Sequence, residues 1–267
     1  MELGRLFYGS NLWVIAGCVL GVLLLAAEAG WRFGRRSEDE KLHGHVAGIT
    51  AATLGLLGLL LAFTFSMSSA RYDHRKQLIL NEANAIGTAW LRAGLLNEPL
   101  RGGLQKTLSE YAGSRIALYD AGLDALRFTA AVERSEALQR LMWGLVARVA
   151  REDARPGVVF GVMEAMNEVF DLHEARVAAL ENYVPAGLIL MLITVAALSL
   201  SLVGWTAGLA GRRSHAATVL FAVLVTVVLG VIMDLNRPQR GLMRTGQNSM
   251  LRLQKSLNGE ASATAHR

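Results

Sequence analysis

The chain has 267 residues, of which 52% are hydrophobic and 18% are charged, with a formal net charge of +5. A water-soluble protein of this size needs more polar surface, so part of the apolar side chains must face something other than water. The excess of Lys and Arg does not indicate nucleic-acid binding, because these residues gather beside apolar stretches, where they anchor helix ends to anionic headgroups. A single cysteine, Cys18, excludes an intrachain disulfide.

Four stretches contain no Asp, Glu, Lys or Arg: Asn11 to Ala27, His45 to Ala70, Pro185 to Gly211 and Ser214 to Met233. About 20 predominantly apolar residues cross the hydrocarbon core of a bilayer, and a charge at the centre costs about 2.5–3.5 kcal/mol. We therefore predict four transmembrane helices, at about 11–31, 46–68, 185–210 and 214–234. The first stretch also resembles a signal peptide, but Glu28-Ala-Gly-Trp31 is a poor cleavage site, which favours a retained helix.

Short links from Arg32 to Gly44 and from Gly211 to Arg213 predict that neighbouring spans form antiparallel pairs. The predicted fold class is an all-α membrane protein. Its four transmembrane helices form two hairpins, and a helical water-facing domain is inserted between the second and third. The first hairpin is predicted at 1–70, and the second at 183–237. Between them, at 71–182, we predict a soluble domain that is continuous with the second and third spans. The remaining residues, 238–267, are predicted to form a tail with a disordered end.

The segment 71–182 is rich in Ala, Leu, Arg and Glu and shows no sustained alternation, so strands are not expected. Its two prolines, Pro99 and Pro156, mark helix ends. We predict three or four helices there, at about 71–96, 101–120, 131–153 and 158–181. Two pairs at GxxxG spacing, Gly17 with Gly21 and Gly204 with Gly208, predict close packing of the first and third spans, although chance explains them equally well.

The chain contains no Walker loop, no GxSxG, no CxxC and no HExxH pattern, so we predict neither enzymatic activity nor a cofactor or metal. Asp171, His173 and Glu174 crowd one helix but do not share one face, which favours a salt-bridged helix surface.

Two segments carry a family pattern. The first runs from Leu56 to Phe65 and on through Ser68-Ser-Ala-Arg-Tyr-Asp-His-Arg-Lys76 to Trp90, and the second is Asp234-Leu-Asn-Arg-Pro-Gln-Arg-Gly241. These residues resemble the bacterial bestrophin-like domain family, a family of unknown function. The first segment is also distantly similar to bestrophin anion channels, whose apolar pore helix runs into a Tyr-Asp-Arg core. The resemblance implies a pentamer whose second helices line an axial pore with a narrow apolar neck.

The neck candidates are Leu57, Leu61 and Phe65, which recur at i, i+4 and i+8 and stack along one helix face. A ring of apolar side chains can gate ions by dewetting. Leu59 and Phe63 form a neighbouring stripe. The alternative is that these residues face lipid or another helix.

Polar residues beyond the neck are candidates for the pore mouth. Ser66 and Ser69 would offer hydroxyl donors to an anion, and Arg71 and Arg75 would bring positive potential. The alternative is that the serines are tolerated at the interface and the arginines hold headgroups.

Three residues are structural ion-pair candidates. Glu82 is expected to pair with Arg75 or Lys76 of the same or a neighbouring subunit. Asp234 and Arg237 are expected to form an ion pair at the end of the last span or to meet a partner subunit.

We therefore predict a homo-oligomeric ion channel in the lipid bilayer, most simply a pentamer that prefers inorganic anions such as chloride. The alternative is a non-conducting scaffold or signalling protein whose helical domain binds a partner. The absence of charged residues inside the spans argues against a proton-coupled transporter. Lys and Arg counts slightly favour links on the inner side, whereas the resemblance places the termini and the helical domain in the cytoplasm, at the bacterial inner membrane. We follow the resemblance.

Overall fold

A computed structural model of the protein describes residues 11–36, 42–122, 124–211, 215–237, 243 and 245–265. The described residues form eight helices and no strand. The helices are α1 (Leu12–Arg35), α2 (Leu42–Ala93), α3 (Leu100–Asp120), α4 (Ala125–Glu152), α5 (Pro156–Glu181), α6 (Ala186–Leu209), α7 (His215–Leu235) and α8 (Asn248–Ala265). The prediction of an all-helical protein is confirmed for this part of the chain.

Four of the helices, α1, α2, α6 and α7, are long and apolar enough to cross a membrane, which confirms the four predicted spans. The chain divides into two compact units. The span unit comprises Met1–Arg71, Tyr183–Arg237 and Gly241–Met243, and the helical unit comprises Tyr72–Asn182, Pro238–Arg240 and Arg244–Arg267. The 52-residue helix α2 contributes residues to both units without a break.

Two sequence-based expectations need correction. The third span was expected to continue from the helix before it, but α5 ends at Glu181 and α6 begins only at Ala186. Pro185 stands just before α6 and has no N–H to continue the helical ladder, which is consistent with the break. The end of the tail was expected to be disordered, yet α8 extends to Ala265. Its alanine-rich end favours helix, and α8 packs against α3.

The packing of α1 against α6 depends on four glycines. A Cβ added at Gly30 or Gly34 of α1, or at Gly204 or Gly208 of α6, would collide with backbone carbonyl oxygens of the other helix. Small residues at this spacing let two backbones approach closely. The prediction for the α6 pair is therefore confirmed, whereas Gly17 and Gly21 face open space. The partner pair on α1 is the second GxxxG of that helix.

The helical unit has its own apolar core, built mainly from α2, α3, α4 and α5. Ile86, Leu104, Leu108 and Met142 are fully buried there, and each contributes about 1.5–3 kcal/mol by leaving water. The helix α4 begins earlier than predicted because the Asp124 side chain caps it by accepting from two backbone N–H groups, at 3.1 Å each. α2, α3 and α5 also carry the buried charged residues of this unit, which are described below.

Candidate functional site: two faces of a spanning helix and a buried charge cluster

Within the span unit, one face of α2 is buried in the protomer. The buried positions lie one or two helical turns apart, at spacings of three, four or seven residues, and comprise Val46, Thr50, Leu57, Leu61, Thr64 and Ser68. The two threonine hydroxyls donate to carbonyl oxygens one turn earlier in α2, Val46 O at 2.7 Å and Leu60 O at 2.8 Å. The polar groups on this face are thus satisfied internally, as an apolar environment requires.

This burial corrects the predicted neck. Leu57 and Leu61 are only 2% and 8% exposed, and both belong to the apolar cluster formed with α1, α6 and α7. A residue in the interior of its own protomer does not line an axial pore between protomers. Phe65, the third neck candidate, lies off this face and is 43% exposed. The spacing of the stripe was predictable from the sequence, but which of two neighbouring stripes faces inward was not.

The opposite face of α2 is exposed, and most of its side chains are small. It carries Gly48, Gly55, Leu59, Ala62 and Ser66. At about 100° per residue, all five lie within about 50° of the direction opposite to the buried face. Leu59 is 52% exposed, and the adjacent Phe63 is 64% exposed. The stripe formed by Leu59 and Phe63 is therefore the one that can contact a second protein molecule or a lipid, or line a pore.

The predicted pore-mouth residues separate in the structure. Ser66 is exposed, Ser69 and Arg71 are half-buried, and Arg75 is buried. Arg75 lines a small cavity inside the helical unit. Only Ser66 thus lies on the exposed face of α2, and the prediction that the buried Arg75 faces a pore mouth needs correction.

The family motif at the end of α7 forms a buried polar cluster in the span unit. Asn236 donates to Ser68 Oγ of α2 at 2.9 Å and to Ile232 O at 2.9 Å. The Asp234 carboxylate accepts from the backbone N–H of Met243 at 2.9 Å. Arg237 is also buried, and its backbone N–H donates to the Asp234 carbonyl at 2.9 Å. The motif therefore ties the end of α7 to α2, while the predicted ion pair of Asp234 with Arg237 stays a prediction.

A second buried cluster lies in the helical unit around Glu82, which is fully buried. Its Oε1 accepts from Arg115 Nε of α3 at 2.6 Å, and its Oε2 accepts from Arg176 Nη1 of α5. Glu82 is therefore an ion-pair residue, but its partners are not the predicted Arg75 and Lys76. Arg75 and Lys76 are near Glu82 along α2, whereas its actual partners lie 33 and 94 positions away, and sequence alone does not reveal such distant partners.

Tyr111 and His173 extend this cluster. The Tyr111 hydroxyl and His173 Nδ1 are 3.2 Å apart, and the Arg115 guanidinium lies over the Tyr111 ring at 5.9 Å from its centroid. Burial, reinforced by Arg115, lowers the pKa of His173 to about 4. Burial also raises the pKa of Tyr111 and, as the largest cause, lowers that of Arg176. His173 thus lies in a polar core, not on the salt-bridged surface predicted from sequence.

Among the described residues, no three His, Cys, Asp or Glu side chains come together in a group that could hold a metal ion. The groups available at the buried cluster are guanidinium, carboxylate, phenol and imidazole. The chemistry available on the exposed face of α2 is apolar, with one hydroxyl.

The described residues form helices and no strand, and four of the helices are suited to a bilayer, which makes this a multi-pass membrane protein. The chain belongs to the bestrophin-like domain family, which matches residues 16–250. This confirms the family resemblance identified from the two motifs. None of the curated proteins and none of the solved structures matches the chain.

Proposed function

We propose that the protein is a homo-oligomeric ion channel with a preference for anions, whose pore is lined by α2. The observation that carries the proposal is the division of α2 into a face packed inside the protomer and an opposite exposed face of small and apolar residues. Membership of the bestrophin-like domain family supports it. The proposal includes the two-hairpin arrangement, the inserted helical domain and cytoplasmic termini.

The neck in this proposal is formed by Leu59 and Phe63 instead of Leu57 and Leu61. Both side chains are more than half exposed on the protomer, so copies of α2 around an axis can bring them together. A ring of such side chains excludes water from a narrow passage and closes it to ions. Gly48 and Gly55 on the same face have no side chain, so they leave the passage wider outside the neck.

The anion preference rests on the absence of carboxylates from this face and on the nearby positive charge. Between Gly44 and Tyr72, α2 carries no Asp or Glu, and its first charged residue is Arg71. A hydroxyl at Ser66 offers a donor and no negative charge to a passing ion. The distant similarity to bestrophin anion channels points the same way.

A second candidate function is a non-conducting scaffold. The helical unit exposes large apolar side chains on α2, in the turn that follows it and on α5, among them Leu91, Leu95 and Phe160. Exposed apolar residues of this size suit contact with another protein. In the channel proposal these residues contact neighbouring copies, and in the scaffold they contact a different partner.

The experiment is chloride flux into liposomes that contain the purified protein, measured against potassium gluconate. We expect flux to rise in Leu59→Ala and Phe63→Ala, because a trimmed neck admits water. Leu220→Ala on α7 is the matched control, since it removes an apolar side chain that is at least as exposed from another helix. Particle mass in detergent, measured in parallel, is expected to correspond to a pentamer.

One outcome would contradict the channel, and another would contradict the assignment of its neck. Absence of flux in all variants, from protein shown to be folded and inserted, favours the scaffold. A rise with Leu61→Ala but not with Phe63→Ala would place the buried face of α2 on the pore axis and overturn the assignment of the neck.

A further inference from the structure

A groove opens on the outer surface of the span unit, between α1 and α7. Its floor includes Gly204 and Ala207 of α6, which have little or no side chain to fill the space. Its walls include Leu25 of α1 and Val219 of α7, both of which are exposed. The volume of the groove is about 280 Å³, close to the lower end of the range for ligand pockets, about 300 Å³. The groove is therefore large enough for part of a slender apolar molecule.

One end of the groove lies at the membrane interface. Trp31 and His215 line this end, and Gly208, near the end of α6, packs against the backbone of Trp31. Leu24 lines the groove seven residues before Trp31, which is about 10 Å along α1, and half of the hydrocarbon core of a bilayer is about 15 Å thick. The groove therefore extends through about two thirds of one leaflet, where an apolar space does not fill with water.

The interfacial end of the groove carries a surplus of positive charge among the described residues. Glu28 lines the groove, but its carboxylate already accepts from Arg32 Nε at 2.8 Å. Arg35 and Arg36 follow at the end of α1, and both are exposed. The Arg35 guanidinium lies over the Trp31 ring, 5.3 Å from its centroid, which holds this charge beside the groove. Counted from the sequence over 28–44 and 210–215, six Lys and Arg stand against four Asp and Glu, so the two links together have the same sign.

We propose that this groove binds one acyl chain of an anionic phospholipid, whose phosphate lies against Arg35 and Arg36. The acyl chain fills the apolar space between α1 and α7, and the phosphate accepts hydrogen bonds from the exposed guanidinium groups. A zwitterionic lipid fits less well, because its ammonium group would lie close to the same arginines. No described residue of α2 lines the groove, so this site is separate from the proposed pore and does not depend on conduction.

The test is native mass spectrometry of the full-length protein in mild detergent, after addition of an equal mixture of phosphatidylglycerol and phosphatidylcholine with the same acyl chains. We expect the wild type to retain phosphatidylglycerol with a preference of about tenfold. Ala207→Phe fills the floor of the groove and should abolish this retention. Ala217→Phe is the matched control, because it adds the same side chain at an exposed alanine of α7 that does not line the groove, and it should keep the lipid.

A second variant keeps the test decisive where Ala207→Phe fails to fold. Arg35→Gln combined with Arg36→Gln changes only exposed side chains, and we expect the preference for phosphatidylglycerol to fall to about twofold. Arg140→Gln, which removes an exposed arginine of α4, should keep the full preference. Equal retention of the two lipids by the wild type, or unchanged retention in Ala207→Phe, would overturn the proposal. Absence of any retained phospholipid would also overturn it and would indicate that a second copy of the chain covers the groove.

Discussion

Substitution of Glu82 by Gln tests whether the helical unit depends on its buried carboxylate. The change keeps the shape of the side chain but leaves Arg115 and Arg176 buried without the charge that both bind. Removal of one partner from a buried ion pair costs about 3–5 kcal/mol, and here two guanidinium groups lose their partner. At about 2–4 °C per kcal/mol for a chain of this size, the melting temperature should fall by roughly 10 °C or more. Thermal unfolding in detergent, followed by circular dichroism, measures it.

The comparison that decides the reasoning is with Arg115→Met. That variant leaves Glu82 paired with Arg176, so the cluster becomes neutral, and we expect a smaller loss of stability than in Glu82→Gln. Glu164→Gln serves as the surface control, since its pair with Arg92 is exposed and exposed pairs contribute about 0–1 kcal/mol. If Arg115→Met were as destabilising as Glu82→Gln, charge balance would not be what stabilises this cluster.

Two further predictions concern packing and pH. Gly204→Ala places a methyl group against a backbone carbonyl of α1, and we expect a loss of about 1–3 kcal/mol in thermal unfolding, whereas Gly21→Ala, which faces open space, should leave stability unchanged or slightly higher. His173 has its pKa lowered to about 4 by burial, so the unfolded chain binds more protons between about pH 6.5 and 4, and stability must fall as the pH falls through that window. The difference amounts to about 3 kcal/mol at its full extent, and unfolding midpoints across this range, compared with His173→Gln, measure it.

Each of these has a contradicting result. Equal effects of Gly204→Ala and Gly21→Ala would show that α1 and α6 do not approach closely. For the histidine, the test is the slope of stability against pH: an equal slope in wild type and His173→Gln would mean that this side chain is not the group that resists protonation.

The sequence predicts the spans well because the bilayer imposes one simple requirement, a long stretch without charge. It predicts Gly204 and Gly208 as a packing pair for the related reason that only small residues allow such an approach. It misplaces the partner pair on α1 because Gly17–Gly21 and Gly30–Gly34 have the same spacing, and spacing does not say which pair meets another helix.

The buried residues of the candidate site were harder to predict. Leu57 and Leu59 differ little in sequence terms, yet one is buried and the other exposed. Which stripe packs inside depends on α1, α6 and α7, segments far away along the chain. Glu82 presents the same difficulty, since both of its partners come from other helices. Asp124, in contrast, was predictable as a helix start from its residue type alone.

The tight seam between α1 and α6 has a consequence for biogenesis. Gly30 of α1 and Gly204 of α6, which both lie in this seam, are roughly 170 residues apart along the chain, and synthesis at about 5–20 residues per second takes on the order of 10–35 s to cover that distance. During that time the glycine face of α1 is in the membrane without α6 to pack against, and it is accessible to other proteins or to insertion chaperones. Site-specific crosslinking from α1 in stalled nascent chains should therefore capture a different neighbour before α6 emerges than after it.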